Sequence, residues 1–241
     1  MEVKSIMVAG YACGGTSCVA GILHNAGVDM GQTAQIEGET YYDGWVSYPE
    51  NPKAQYEDDP SVCLSWKILK GHWYYPKVAD TLTAEHHTQM EQLIQARCKS
   101  PLWGVKAPSL AFTGPFFLQC MDKYTDTKLI IVHRDEYVVA DHLEKRFRDF
   151  GVKPLGALAH VGEISRALSC LAAIATSRKI HVYAVHYEDL VSKTQNTVTN
   201  LLRLVFEDWP ERTPEQVQAA IDFVDPSFDH SADLTIKGGK V

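Results

Sequence analysis

Apolar positions along the chain alternate between two rhythms. Short unbroken apolar runs, the mark of covered strands, are followed by longer stretches in which apolar residues return every three or four positions, the mark of helices. Residues 3–9 (VKSIMVA) form the first run, and residues 17–26 carry helical spacing with Gly27 as the stop. Residues 28–59 then break the rhythm. This stretch is rich in Gly, Tyr, Asp and Pro and too long for an ordinary connection, which marks a functional or mobile loop. Asp59 and Pro60 read as a cap and first-turn pair for a helix over 61–70 closed by Gly71, and HWYYP follows as a break. Thr83 caps a helix running to about Cys98, and residues 102–106 make a second strand that ends at Pro108. Residues 109–121 are mixed, with helical character around FFLQCM.

The clearest strand is residues 127–132 (TKLIIV), whose continuous apolar and β-branched character predicts cover on both faces. An amphipathic helix over 137–150, a loop around Pro154 and an apolar helix over 161–177 come next. A fourth strand over 181–185 precedes YEDL, and helices over 196–206 and 214–224 close the chain, the last capped by Thr213 with Pro214 in its first turn. Strands alternating with helices predict a three-layer α/β/α domain over 1–241, with a central parallel sheet and right-handed crossovers. In such sheets ligands bind beyond the carboxyl ends of the strands. The glycine-dense turn after the first strand, Lys106, Arg134 and YEDL all fall at such ends.

That turn, GYACGGTS over residues 10–17, spends three glycines and two hydroxyl residues between a strand and a helix. Gly10, Gly14 and Gly15 permit close backbone approach, and Thr16 and Ser17 are expected as capping hydroxyls. Helix amides and the positive end of the helix dipole then face whatever sits in the turn, an arrangement suited to phosphate or sulfate. The spacing from Gly10 to Gly15 fits the phosphate-loop pattern, but Thr16 stands where that pattern requires lysine, which counts against a conventional NTPase.

With 241 residues and 45% hydrophobic composition the chain is long enough for one sizeable core. A formal net charge of -7 argues against broad contact with nucleic acid or an anionic membrane. Six cysteines without a CxxC pair suggest reduced thiols rather than a zinc site or a disulfide framework. The absence of a secretory leader pattern or a spanning apolar stretch leads to the expectation of a soluble cytoplasmic protein.

Five segments, in order, resemble the sulfotransferase family, in particular the compact bacterial and viral type that uses 3'-phosphoadenosine 5'-phosphosulfate. GYACGGTS is similar to the family's 5'-phosphosulfate loop, NPKAQYED (51–58) to its NPxGYxED segment, and WGVKAP (103–108) to its GWKDP strand end. LIIVHRDEYVVADH (129–142) resembles the strand and helix start that bind the donor's 3'-phosphate, and VHYEDL (185–190), with TVTNLLRLV and FVDPS, resembles the carboxyl-terminal third. The resemblance implies a P-loop NTPase-like (sulfotransferase-like) fold and transfer of a sulfuryl group to a hydroxyl or amine of a small molecule or glycan. Adenosine 3',5'-bisphosphate would be the product, and no metal would be required. It implies that Cys13, Gly14, Gly15, Thr16 and Ser17 hold the 5'-phosphosulfate, that Arg134 and His142 hold the 3'-phosphate, and that Glu57 is the base, while Lys106 is the candidate to replace the cation missing at Cys13. Glu37, Glu39 and His72 are further candidates for the base. Tyr41, Tyr42, Trp45, Tyr48, Trp73, Tyr74 and Tyr75 would wall an acceptor pocket. The sequence departs from the family at Cys13, where a lysine or arginine is usual, and at Ala107, Glu136 and His142. A P-loop kinase of a nucleotide or small molecule, or a nucleotide-binding protein of this fold without turnover, stays open as an alternative.

Overall fold

The structure is a computed structural model that describes residues 3–11, 13–31, 59–69, 82–107, 109–149 and 156–225. Four parallel strands, β1 (Lys4–Ala9), β2 (Leu102–Lys106), β3 (Asp126–His133) and β4 (His181–His186), lie in the order β2-β1-β3-β4. Val8 sits opposite Lys106 on one side and Ile130 on the other, so the carboxyl ends of β1, β2 and β3 reach the same edge. The chain leaves β1 for β2 and then crosses to β3 on the far side of β1. That reversal of direction is where an open sheet parts its loops and takes ligands.

Strand alternation sends successive side chains to opposite faces. Met7, Ala9, Leu129 and Ile131 pack with helices α2 (Asp59–Leu69), α3 (Ala84–Arg97), α4 (Leu110–Met121), α5 (Glu136–Asp149) and α6 (Ala157–Ser177). Ile6, Val8, Ile130 and Val132 pack with α1 (Thr16–Asn25), α7 (Tyr187–Ser192), α8 (Thr194–Val205) and α9 (Pro214–Phe223). Both faces of the sheet are therefore covered, and the all-apolar β3 has the environment its sequence predicts. The three-layer α/β/α architecture with a parallel sheet is the one expected.

Two of the expected caps form. Thr83 and His86 make a reciprocal capping box at the start of α3, as do Thr213 and Gln216 at α9 with Pro214 in its first turn. Helices α4 and α6 exceed the sequence reading. Helix α4 is continuous from Leu110, although Gly114 and Pro115 lie inside it, because burial on nearly every side outweighs local propensity. Helix α6 begins at Ala157, four residues before its apolar period becomes evident, behind Gly156 at φ 95.

Opposite the ligand edge, Lys128 is buried in β3. Its Nζ donates to the Val205 carbonyl at 2.9 Å and to Asp208, and lies 4.3 Å from the centre of the Trp209 ring. Trp209 in turn donates to Asp126 at 2.9 Å, and Lys4 bridges to the same carboxylate at 3.2 Å. A buried ammonium is tolerated there because carbonyl, carboxylate and aromatic face replace its water.

Candidate functional site: the carboxyl edge of the sheet

The turn after β1 closes on itself through a hydrogen bond from the Gly14 amide to the Tyr11 carbonyl at 2.9 Å. Cys13 at φ 66 and Gly15 at φ 87 both take left-handed backbone, which reverses the chain into α1. Gly15 is also required by contact: a Cβ there would lie 2.3 Å from the Tyr187 ring. At Gly10 it would lie 2.6 Å from the Thr16 methyl.

Helix α1 starts at Thr16 with Gly15 as its N-cap. It has no side-chain cap among the described residues and no acidic residue in its first turn. This corrects the expectation that Thr16 and Ser17 cap the helix. With the left-handed residue at Gly15, both hydroxyl residues fall inside the first turn, and Thr16 is buried. The consequence favours anion binding, since the helix's own first turn brings no carboxylate to the positive end of its dipole.

Arg134 leaves the end of β3 and reaches back to this turn. Its Nη1 donates to the Cys13 carbonyl at 3.0 Å, and its guanidinium lies 4.6 Å from the centre of the Tyr187 ring. Tyr187, the first residue after β4, thus backs both Gly15 and Arg134. Asp135 caps α5 by accepting from the Tyr137 and Val138 amides, while its own amide donates to Glu188 at 3.1 Å. The ends of β1, β3 and β4 are therefore tied together, and a turn without a basic side chain of its own acquires a cation from β3.

Of the residues singled out in the sequence, Cys13, Gly14, Gly15, Thr16 and Arg134 meet here. Ser17 occupies the first turn of α1. Lys106 ends the neighbouring strand opposite Val8 and is 1% exposed. His142 lies half-buried on α5, six residues beyond its start, or about 9 Å along the axis. Glu37, Glu39, Glu57, His72 and the aromatic residues at 41–48 and 73–75 lie outside the described residues, as does most of the irregular segment 28–59. Glu188 fixes a loop, and Asp189 pairs with Lys193 on the next helix turn, as their positions suggest.

Sequence reasoning missed Tyr187 as a platform, and it missed His133 and His186. These two histidines end adjacent strands in register, and their rings stack with centroids 5.6 Å apart. Burial, then the proximity of His186, holds the His133 imidazole below its ordinary pKa. The signal was available in the sequence: each is the last residue of a strand, next to a residue already singled out.

Among the described residues, no group of three or more His, Cys, Asp or Glu is placed to hold a metal, and no helix is long and apolar enough to cross a membrane. No protein-family model matches the chain, and no curated protein does. Solved structures do. The sulfotransferase domain from the Synechococcus PCC 7002 olefin synthase matches with a TM-score of 0.51 and 16% identity, over 94% of this chain and 82% of that one. The sulfotransferase domain from the curacin biosynthetic pathway matches with a TM-score of 0.51 and 15% identity, over 94% and 85%. The chain therefore has a sulfotransferase-like fold, with its glycine turn and Arg134 together at the edge where such a sheet takes its ligand.

Proposed function

We propose that the chain acts as one domain and is a sulfotransferase that uses 3'-phosphoadenosine 5'-phosphosulfate, moving the sulfuryl group to a hydroxyl or amine of a small molecule or glycan without an obligatory metal. The observation that carries this reading is the bond from Arg134 to the Cys13 carbonyl beside the start of α1, whose first turn holds no acidic residue. Helix amides and a guanidinium converge on one corner, which suits a ligand with two anionic groups. The amides and hydroxyls over residues 14–17 hold the phosphosulfate, while Arg134, assisted by His142, holds the 3'-phosphate.

In the reaction the acceptor oxygen or nitrogen bonds to sulfur as the bond from sulfur to the bridging oxygen breaks. The electron pair leaves with adenosine 3',5'-bisphosphate, and the acceptor's proton passes to a base, for which the family resemblance nominates Glu57. Lys106 offsets charge building on the leaving phosphate.

Calorimetric titration of the chain with adenosine 3',5'-bisphosphate, ATP and ADP, with and without Mg2+, tests the pocket without knowledge of the acceptor. The bisphosphate is expected to bind most tightly and independently of Mg2+. Preference for ATP with Mg2+ would instead support a kinase.

A further inference from the structure

Two hydroxyls at the same edge have no role in the site as described so far. Tyr11 and Ser109 are each 4% exposed, and neither the Tyr11 phenol nor the Ser109 Oγ has a hydrogen-bond partner among the described residues. A buried hydroxyl left without a partner lowers stability, so a structure that holds two of them calls for a reason. Their backbones leave the same edge of the sheet. Val8 and Lys106 are register partners on adjacent strands, and Tyr11 and Ser109 each lie three residues beyond their member of that pair. The Tyr11 ring meets Phe112, in the first turn of α4, edge-on with centroids 5.9 Å apart. Ser109 is the residue before α4, in the position where a serine normally caps the helix, yet its side chain makes no capping bond. The helix start also has no acidic residue in its first turn. Its hydroxyl is thus withheld from the amides that would ordinarily claim it.

We infer that Tyr11 and Ser109 form the subsite for the sulfuryl oxygens of the donor, each donating one hydrogen bond. The inference rests on the sulfotransferase reading above and adds to it the residues that meet the transferred group. Charge on a sulfuryl group in transit is spread over three oxygens, and neutral donors fixed in a buried corner stabilise spread charge without the desolvation cost of another cation. Between Gly10 and Ser17 the turn has no basic side chain to do this work. Tyr11 is suited to donating rather than to accepting a proton. Burial, reinforced by Glu163 and opposed by Arg166, raises its pKa, so the phenol keeps its proton at any working pH. The subsite lies where Tyr11 leads into the turn and Ser109 follows Lys106, so the three oxygens would sit between the phosphosulfate cradle and the start of α4.

The two nucleotides that differ only by the sulfuryl group supply the test. Dissociation constants for 3'-phosphoadenosine 5'-phosphosulfate and for adenosine 3',5'-bisphosphate are measured by calorimetry on the whole chain, its Tyr11→Phe and Ser109→Ala variants and the double variant. Melting temperatures are recorded alongside. The expected result is bisphosphate affinity within about twofold of the parent throughout, while preference for the sulfated donor falls about threefold in each single variant and about tenfold in the double. Ser109→Thr, which keeps a hydroxyl, restores the preference. Melting temperatures hold or rise, because each variant removes an unsatisfied buried group while Phe keeps the ring contact with Phe112. Unchanged preference in the double variant overturns the subsite and leaves the nucleotide pocket standing. Failure of the parent chain to bind either nucleotide overturns the pocket, and the subsite with it.

Discussion

Arg134 is held by the Cys13 carbonyl and by the face of Tyr187, and both constrain the plane of its guanidinium. A lysine at that position keeps the charge but loses the fork and the flat face, so a ligand held by two parallel hydrogen bonds distinguishes the two. Arg134→Lys is expected to weaken adenosine 3',5'-bisphosphate about tenfold and Arg134→Ala about a hundredfold, the scale of charge-assisted hydrogen bonds. Titration of the two variants checks this, and a lysine variant that binds like the parent would show that charge alone is needed. The turn's glycines and Arg134 were legible in the sequence because each sits beside a strand that its own apolar run reveals. Tyr187 was not, because its partners arrive from the far end of the chain. The link from Arg134 to Cys13 spans 121 positions and has no local signature.

Helices show the same division between what is local and what is packed. Caps at Thr83 and Thr213 are local chemistry and form as read, whereas α4 runs through Gly114 and Pro115 because its surroundings decide. Two glycines inside helices make the difference measurable. Gly162 in α6 is exposed, and a Cβ there meets nothing within 4 Å. Gly162→Ala is therefore expected to raise stability by about 0.5–1 kcal/mol, through reduced freedom of the unfolded chain. Gly21 in α1 is buried against α9, and a Cβ there would lie 2.2 Å from the Phe223 ring. Gly21→Ala is expected to cost about 1–3 kcal/mol, because the ring must shift within a packed interface. Urea denaturation of the two variants decides the matter, and changes of the same sign would mean that the contact between α1 and α9 is not the one described. In the sequence the two positions look alike, since each is a glycine within a helical period.

Across the whole molecule, the order of apolar strands and amphipathic helices revealed the layers, because a covered parallel sheet leaves its mark in every strand. Strand order left no comparable mark, since adjacency depends on crossovers rather than on any one segment. The sheet places titrating groups at opposite edges, and these make stability depend on acidity in two separate windows. At the ligand edge His133 has a folded pKa below its ordinary 6.5, mainly because it is buried. As pH falls through 6.5 the unfolded chain takes up that proton first, so stability is full above this value and declines until the folded pKa is passed. At the opposite edge the hydrogen bond from Lys128 holds the Asp208 carboxyl below its ordinary 3.8. Its contribution is present above 3.8 and is lost as pH falls from there through the folded value. Asp208 is largely exposed, so solvent screens this second contribution. Urea midpoints measured from pH 8 to pH 3 are expected to fall first below about 6.5 and again below about 4. His133→Asn should remove His133's share of the first decline and leave the second, whereas Asp208→Asn should do the reverse. A His133→Asn variant that keeps the whole of the first decline would place its origin in groups other than His133.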